Sequence, residues 1–168
     1  VHLLDMEIFD NYLVINERKN GLRGMRVINQ KNGKDETLDF GENTYATFFS
    51  TNKEFNTNII RYSYSSLITP WSTYDYNMDT GERILMKQDK ILGDYDQNHY
   101  FSERLYAISR DGNKIPISIV YNKNYKKDKP QNLLLYGYGS YGSTTDPYFN
   151  SARLSLLDRR FIFAIAHV

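Results

Sequence analysis

Asn29-Gln30-Lys31-Asn32-Gly33-Lys34 and Asn77-Met78-Asp79-Thr80-Gly81-Glu82 are one polar turn pattern written twice, with the glycines 48 positions apart. At the same offset Tyr12-Leu13-Val14-Ile15 falls on Ile60-Arg61-Tyr62-Ser63, Val27-Ile28 on Asp75-Tyr76, and Leu38 on Met86. Each unit is a run of short β-prone segments divided by turn residues, with no helical periodicity. A β unit that recurs every 40 to 50 residues or so is the pattern of propeller blades. An ordinary antiparallel sandwich is the alternative architecture. Two blades do not close a propeller, which takes about four to eight. The front end is therefore expected to be incomplete, and its open strand edges would permit self-association. The first residue is Val1 and no signal peptide precedes the first strand pattern, as expected of a chain cut from something longer.

The repeat stops near Ile91, and Leu92-Gly93-Asp94-Tyr95-Asp96 reads as a polar crossing. Beyond it, Tyr100 to Ser109 and Lys114 to Tyr121 are strand-like and are joined by Arg110-Asp111-Gly112-Asn113. Asp-Gly between two such runs is a strong hairpin signal. A charged loop from Asn122 to Pro130 follows, and its Lys126, Lys127 and Lys129 read as a solvated cluster. Next comes Leu133-Leu134-Leu135-Tyr136-Gly137-Tyr138-Gly139-Ser140-Tyr141-Gly142. Its apolar run suits a strand buried on both faces, and its glycines let the backbone turn sharply and approach a bound group. The tyrosines between them can donate hydrogen bonds into that space. Asn150-Ser151 caps a helix expected to run through about Arg160, with Leu154, Leu157 and Phe161 on one face. Phe161 to Val168 is a second continuous apolar strand. Strand, helix and strand in this order predict a parallel βαβ unit. The fold class is thus mainly β with a partial α/β part, divided into residues 1–92 and 93–168.

Composition narrows the chemistry. With 21 basic and 20 acidic residues the net charge is +1, so neither nucleic acid nor a membrane surface is indicated as a partner. Cysteine is absent, which excludes disulfides and thiol catalysis. His2, His99 and His167 lack ligand spacing, so no metal and no cofactor is expected. The 15 tyrosines and nine phenylalanines fit a β-rich protein. Gly137-Tyr138-Gly139-Ser140-Tyr141-Gly142 matches the dinucleotide pattern G-x-G-x-x-G after a strand. That fingerprint needs a helix opening directly at the glycines and an acidic residue about twenty positions on. Here a stretch containing Pro147 intervenes, and the next strand ends in Ala166-His167-Val168. A serine hydrolase needs a nucleophile on a G-x-S-x-G elbow. None is present, Ser140 reads as a turn residue, and His167 reads as a core or edge histidine.

Leu135-Tyr136-Gly137-Tyr138-Gly139, Ser151-Ala152-Arg153-Leu154 and Ala166-His167-Val168 resemble the prolyl oligopeptidase family of serine peptidases. Tyr136 to Gly142 is most similar to its oligopeptidase B (protease II) branch. Tyr100 to Leu105, Asp111-Gly112 with Pro116-Ile117-Ser118, Tyr64-Ser65-Ser66 with Thr69-Pro70, and Met78 to Glu82 point the same way. The resemblance covers most of residues 10 to 168. It implies a propeller capping an α/β-hydrolase domain, of which this chain would hold the last two blades and the first strands of the hydrolase sheet, a hairpin plus βαβ. It implies hydrolysis of short peptides after Arg or Lys through an acyl-enzyme, in the cytoplasm. By resemblance, Tyr138 supplies an oxyanion-hole hydroxyl, while Tyr141 and Asp146 contact substrate. A second acidic position of the family is Tyr148 here. The family's serine, aspartate and histidine have no counterpart in these 168 residues, so the chain alone is expected to be inactive, and a C-terminal catalytic chain is an expected partner. The alternatives are the non-catalytic half of a split peptidase and a dinucleotide-binding oxidoreductase fragment.

Overall fold

The computed structural model describes residues 1–125 and 130–168, and the lysine cluster at 126–129 lies outside the described residues. Short strands of alternating character make a first sheet from two consecutive meanders. β1 (His2–Ile8), β2 (Tyr12–Lys19), β3 (Leu22–Asn29) and β4 (Asp35–Thr37) pair antiparallel in chain order. β5 (Tyr45–Phe49), β6 (Ile59–Ser66), β7 (Ser72–Asn77) and β8 (Arg83–Gln88) do the same. A single parallel register pair, Arg23 with Ala46, joins β3 to β5.

The two polar turns match in geometry as well as in sequence. Asn29 N–H donates to the Lys34 carbonyl at 2.8 Å and Asn77 N–H to the Glu82 carbonyl at 2.9 Å. Each asparagine carbonyl also accepts from the glycine four residues on, at 2.9 and 2.8 Å. Both glycines adopt positive φ, 73° at Gly33 and 76° at Gly81, where a side chain would be strained. Each asparagine side chain accepts from the backbone two residues later at 2.9 Å, the Asx-turn bond that suits asparagine here. The equivalence fails in one place. Leu38 is buried, whereas Met86 is half exposed on β8.

Alternation along β2 and β6 sends Tyr12 and Val14, and Ile60, Tyr62 and Tyr64, into one core with Phe9, Met25 and Val27. Much of this core is aromatic: Tyr62 stacks on Tyr74 with centroids 5.7 Å apart, and Phe40 on Tyr64 at 5.4 Å. A buried polar clasp ties the meanders together. Asn16 donates to the Thr47 carbonyl at 3.0 Å and accepts from Arg23 at 3.0 and 3.1 Å.

The second sheet has four strands in the order β11-β12-β10-β9. β9 (Tyr100–Ile108) and β10 (Lys114–Asn122) form the hairpin expected at Asp111-Gly112. β11 (Asn132–Gly137) and β12 (Phe161–Ala166) run parallel, joined by α1 (Ser151–Leu157), as the strand–helix–strand pattern predicts. The Asn150 side chain caps α1 by accepting from Ala152 N–H at 2.9 Å. The helix is shorter than expected: Asp158 caps it, and Arg160 at φ 67° turns the chain into β12, which takes Phe161.

One expectation is overturned. β11 is not buried on both faces. Among the described residues it pairs only with β12 and so forms the sheet edge, leaving Leu133, Leu134, Leu135 and Tyr136 about half exposed. The other apolar run behaves as expected, because β12 sits between two strands and buries Phe163, Ala164 and Ile165.

The two sheets share packing. Leu67, from the turn between β6 and β7, is buried against Tyr100, Val120, Leu157, Phe163 and Ile165 of the second sheet and helix. Tyr95 joins the same cluster from the crossing segment and stacks on Tyr100 at 5.5 Å. Leu67→Ala removes buried methyl groups at this junction and is expected to destabilise the protein by about 2–5 kcal/mol. Leu92→Ala, at an exposed position of the crossing, should change stability by less than about 0.5 kcal/mol. Urea unfolding of the two variants measures the contrast.

Candidate functional site

Tyr138 follows directly on β11, and the chain then turns through Gly139 to Gly142 and runs irregularly to Asn150 before entering α1. Two backbone features shape this bend. A Cβ at Gly139 would lie 2.8 Å from the Val168 carbonyl oxygen, so only glycine lets the bend pass the end of β12. Tyr141 is held at φ 57°. The bend, α1 and the adjoining face of β11 and β12 enclose a groove of about 580 Å³. Tyr138, Thr144, Asp146, Tyr148, Arg153 and Phe163 are among its lining residues.

Tyr138 is 44 % exposed at this groove, and its hydroxyl has no hydrogen-bond partner among the described residues. Asp146 lines the same groove, but its carboxylate is engaged. Arg18 of β2 reaches across from the first sheet and places Nη1 2.5 Å and Nη2 3.3 Å from the two carboxylate oxygens. Both side chains are largely buried, at 17 % and 13 % exposure. Tyr141 stands apart: it is 98 % exposed and does not line the groove. The structure thus brings Tyr138 and Asp146 together and leaves Tyr141 outside.

Behind the groove the sheets are fastened by the β2–β3 turn. Arg18 also donates to the Gly21 carbonyl at 3.1 Å, and Arg104 of β9 donates to the Asn20 carbonyl. Gly21, at φ 79°, packs so closely on His167 that a Cβ there would come within 2.7 Å of its Cβ. His167 itself is buried, with Nε2 2.7 Å from Ser118 Oγ, which accepts from Arg104 at 3.0 Å. Because Arg104 can only donate, the serine hydroxyl proton is available to a neutral imidazole. Burial, reinforced by the nearby positive charge of Arg104, lowers the His167 pKa to about 4. A catalytic base would need substrate within reach, and this ring is enclosed. Among the described residues no cluster of three or more His, Cys, Asp or Glu could hold a metal ion. No described helix is long and apolar enough to cross a membrane.

Arg18, Thr144 and Arg153 were not anticipated from sequence. Arg18 lies 128 residues from its partner, and nothing local announces the pair. Arg153 did carry a signal. A cation in the first turn of a helix opposes the macrodipole, so something other than helix stability holds it there.

The first 89 residues match the family model described as the prolyl oligopeptidase N-terminal β-propeller domain. The chain is 42 % identical to dipeptidyl aminopeptidase BI of Pseudoxanthomonas mexicana, over 96 % of this chain and 22 % of that protein. It is 35 % identical to protease 2 of Moraxella lacunata, over 99 % of this chain and 24 % of the relative. Among solved structures it superposes on oligopeptidase B from Trypanosoma brucei with a TM-score of 0.86 and 34 % identity, covering 99 % of this chain and 24 % of that one. The chain therefore spans about a quarter of the length of the relatives it matches.

The buried histidine gives a test of the junction. His167 is neutral when folded and titrates near its ordinary 6.5 when unfolded. Its contribution is therefore complete above about pH 6.5 and is lost as pH falls toward 4, by on the order of 3 kcal/mol. His167→Gln should flatten the stability-versus-pH curve between pH 6.5 and 4 in denaturant titrations. An unchanged slope would contradict the burial of a neutral ring.

Proposed function

Because the chain belongs to the prolyl oligopeptidase family, we propose that it forms the junction between propeller and catalytic domain of a serine oligopeptidase that cleaves short peptides after Arg or Lys. In this reading residues 1–92 are two propeller blades. Residues 93–168 are the opening hairpin and βαβ unit of an α/β-hydrolase sheet. The exposed, one-sided pairing of β11 favours continuation of that sheet by further strands on its free edge, since a bare apolar edge otherwise invites aggregation. The nucleophile, acid and histidine of the triad lie outside these 168 residues, either later in the same polypeptide or on a separate chain that pairs at β11.

One observation carries the reading: a tyrosine hydroxyl with no partner among the described residues, just after a parallel strand and lining a groove large enough for a peptide side chain. A phenol pre-placed there donates to the oxyanion of a tetrahedral intermediate, stabilising charge that develops only in the transition state. Tyr138 would therefore act on turnover more than on substrate binding. The peptide is confined by the propeller, which limits the length of what enters.

The test uses fluorogenic peptides with Arg or Lys before the scissile bond. The full-length protein should hydrolyse them with sensitivity to a serine-directed phosphonate, and residues 1–168 alone should not. Tyr138→Phe in the full-length protein should lower kcat by about 10²–10³ with little change in KM. Phosphonate-sensitive turnover by the 168 residues alone, or a Tyr138→Phe enzyme with unaltered kcat, would overturn the assignment.

A further inference from the structure

The two matched turns of the first sheet differ in one chemically decisive residue. Gly33 follows Asn32, whereas Gly81 follows Thr80. The two side chains take the same post: Asn32 Oδ1 accepts from Lys34 N–H at 2.9 Å, and Thr80 Oγ1 from Glu82 N–H at 3.2 Å. Only the asparagine has an electrophilic carbon there, and its carbonyl oxygen already faces a donor that would stabilise charge developing on it. The nucleophile within reach along the chain is the Gly33 amide nitrogen. Glycine has no side chain to hinder that approach, and a Cβ at Gly33 would meet nothing within 4 Å. Asn32 and Gly33 are both exposed. The β2–β3 turn meets the second sheet through Gly21, and the β3–β4 turn lies at the other end of β3. In the reading proposed above, further blades pack on the faces of the first sheet and further strands extend the second, so neither covers this tip.

We infer that Asn32 is a site of spontaneous covalent modification, cyclising with Gly33 and losing ammonia. The Gly33 amide nitrogen gives up its proton and bonds to the Asn32 side-chain carbonyl carbon, and the carboxamide nitrogen leaves as ammonia. Water then opens either C–N bond of the resulting succinimide, leaving aspartate or isoaspartate at position 32. The Gly33 N–H must first part from the Asn29 carbonyl, 2.9 Å away, so the reaction runs through local opening of the tip. Opening costs little there, because the flanking β4 is three exposed residues long. Two other turns offer similar dipeptides and are protected. Asn20-Gly21 is clamped, since Arg104 donates to the Asn20 carbonyl and Gly21 is pressed against His167. Asp111-Gly112 presents a carboxyl that the Ser109 hydroxyl holds below the usual carboxylate range, so it stays ionised and is a poor electrophile. Isoaspartate adds a methylene to the main chain of a turn closed by the Asn29 N–H bond to the Lys34 carbonyl, at 2.8 Å, and so loosens the pairing of β4 with β3.

The experiment incubates the full-length protein in mildly alkaline buffer and follows each turn by peptide mapping with mass spectrometry, which tells carboxamide from carboxylate and aspartate from isoaspartate. Asn32 should convert at least about tenfold faster than Asn20, in line with the easier opening of its turn. Asn32→Thr copies the residue of the matched turn, so it should fold normally and release no ammonia from this tip. Thr80→Asn should create a second labile site at Gly81, because that turn has the same bonds. The isoaspartate form, separated by chromatography, should exchange its Asn29 amide hydrogen faster than the unmodified protein, with the Asn77 amide unchanged. Conversion of Asn20 as fast as Asn32 would overturn the assignment. So would an Asn32 that stays intact while a denatured control converts, or a Thr80→Asn turn that stays inert. Unchanged exchange at Asn29 would overturn the loosening of β4. None of these readouts involves peptide hydrolysis, so failure here and failure of the peptidase reading are separate results.

Discussion

The Arg18–Asp146 ion pair ties the loop between β11 and α1, on the second sheet, to β2 of the first. Charges this far from water lose hydration, and their mutual attraction offsets the loss only if the geometry is good. Here it is good, since both carboxylate oxygens face the fork and Arg18 also satisfies the Gly21 carbonyl. Removing one member would leave the other as a buried, uncompensated charge, which costs on the order of 3 kcal/mol. The pair is therefore better understood as a constraint on arrangement than as a large net source of stability. It forces the loop that carries Asp146 to stay against β2, and with it the bend that carries Tyr138.

Around that constraint the rest of the junction is apolar and directional. Leu67 and Tyr95 plug the second sheet's core from outside the sheet, so the two parts share packing as well as polar contacts. Gly21 touches His167 so closely that the hairpin tip and the end of β12 cannot shift independently. His167, Ser118 and Arg104 then connect β12, β10 and β9 behind the groove. Neutral His167 fits this chain of donors and acceptors, because Arg104 already supplies the positive charge there.

What could be read in the sequence was local. The paired turns from Asn29 to Gly33 and from Asn77 to Gly81, the Asp-Gly hairpin and the Asn150 cap are each settled by a few adjacent residues whose backbone needs are unusual, and the structure forms all of them. The run Leu133 to Tyr136 shows the limit of such reading. Continuous apolarity says that both faces of a strand suit burial, and says nothing of what covers them, so β11 was legible as a strand and not as an exposed edge. At the candidate site, Tyr138 and Asp146 were visible through resemblance, while the state of Asp146 was not. Its partner lies in a different sheet, 128 residues away, and only the fold brings the charges together. Arg153 was quoted within a motif, but its contacts with the Phe163 ring and the Tyr148 carbonyl appear only in the fold.

The central claim is that the unpartnered phenol of Tyr138 faces the reacting carbonyl of a bound peptide at the groove anchored by Arg18 and Asp146. The most direct measurement is a crystal structure of the full-length protein with a peptidyl aldehyde or phosphonate ending in arginine. The account predicts the Tyr138 hydroxyl within hydrogen-bond distance of the inhibitor's tetrahedral oxygen, with the Arg18–Asp146 pair intact. An inhibitor bound elsewhere, or a Tyr138 ring turned away from that oxygen while the pair remains closed, would contradict it.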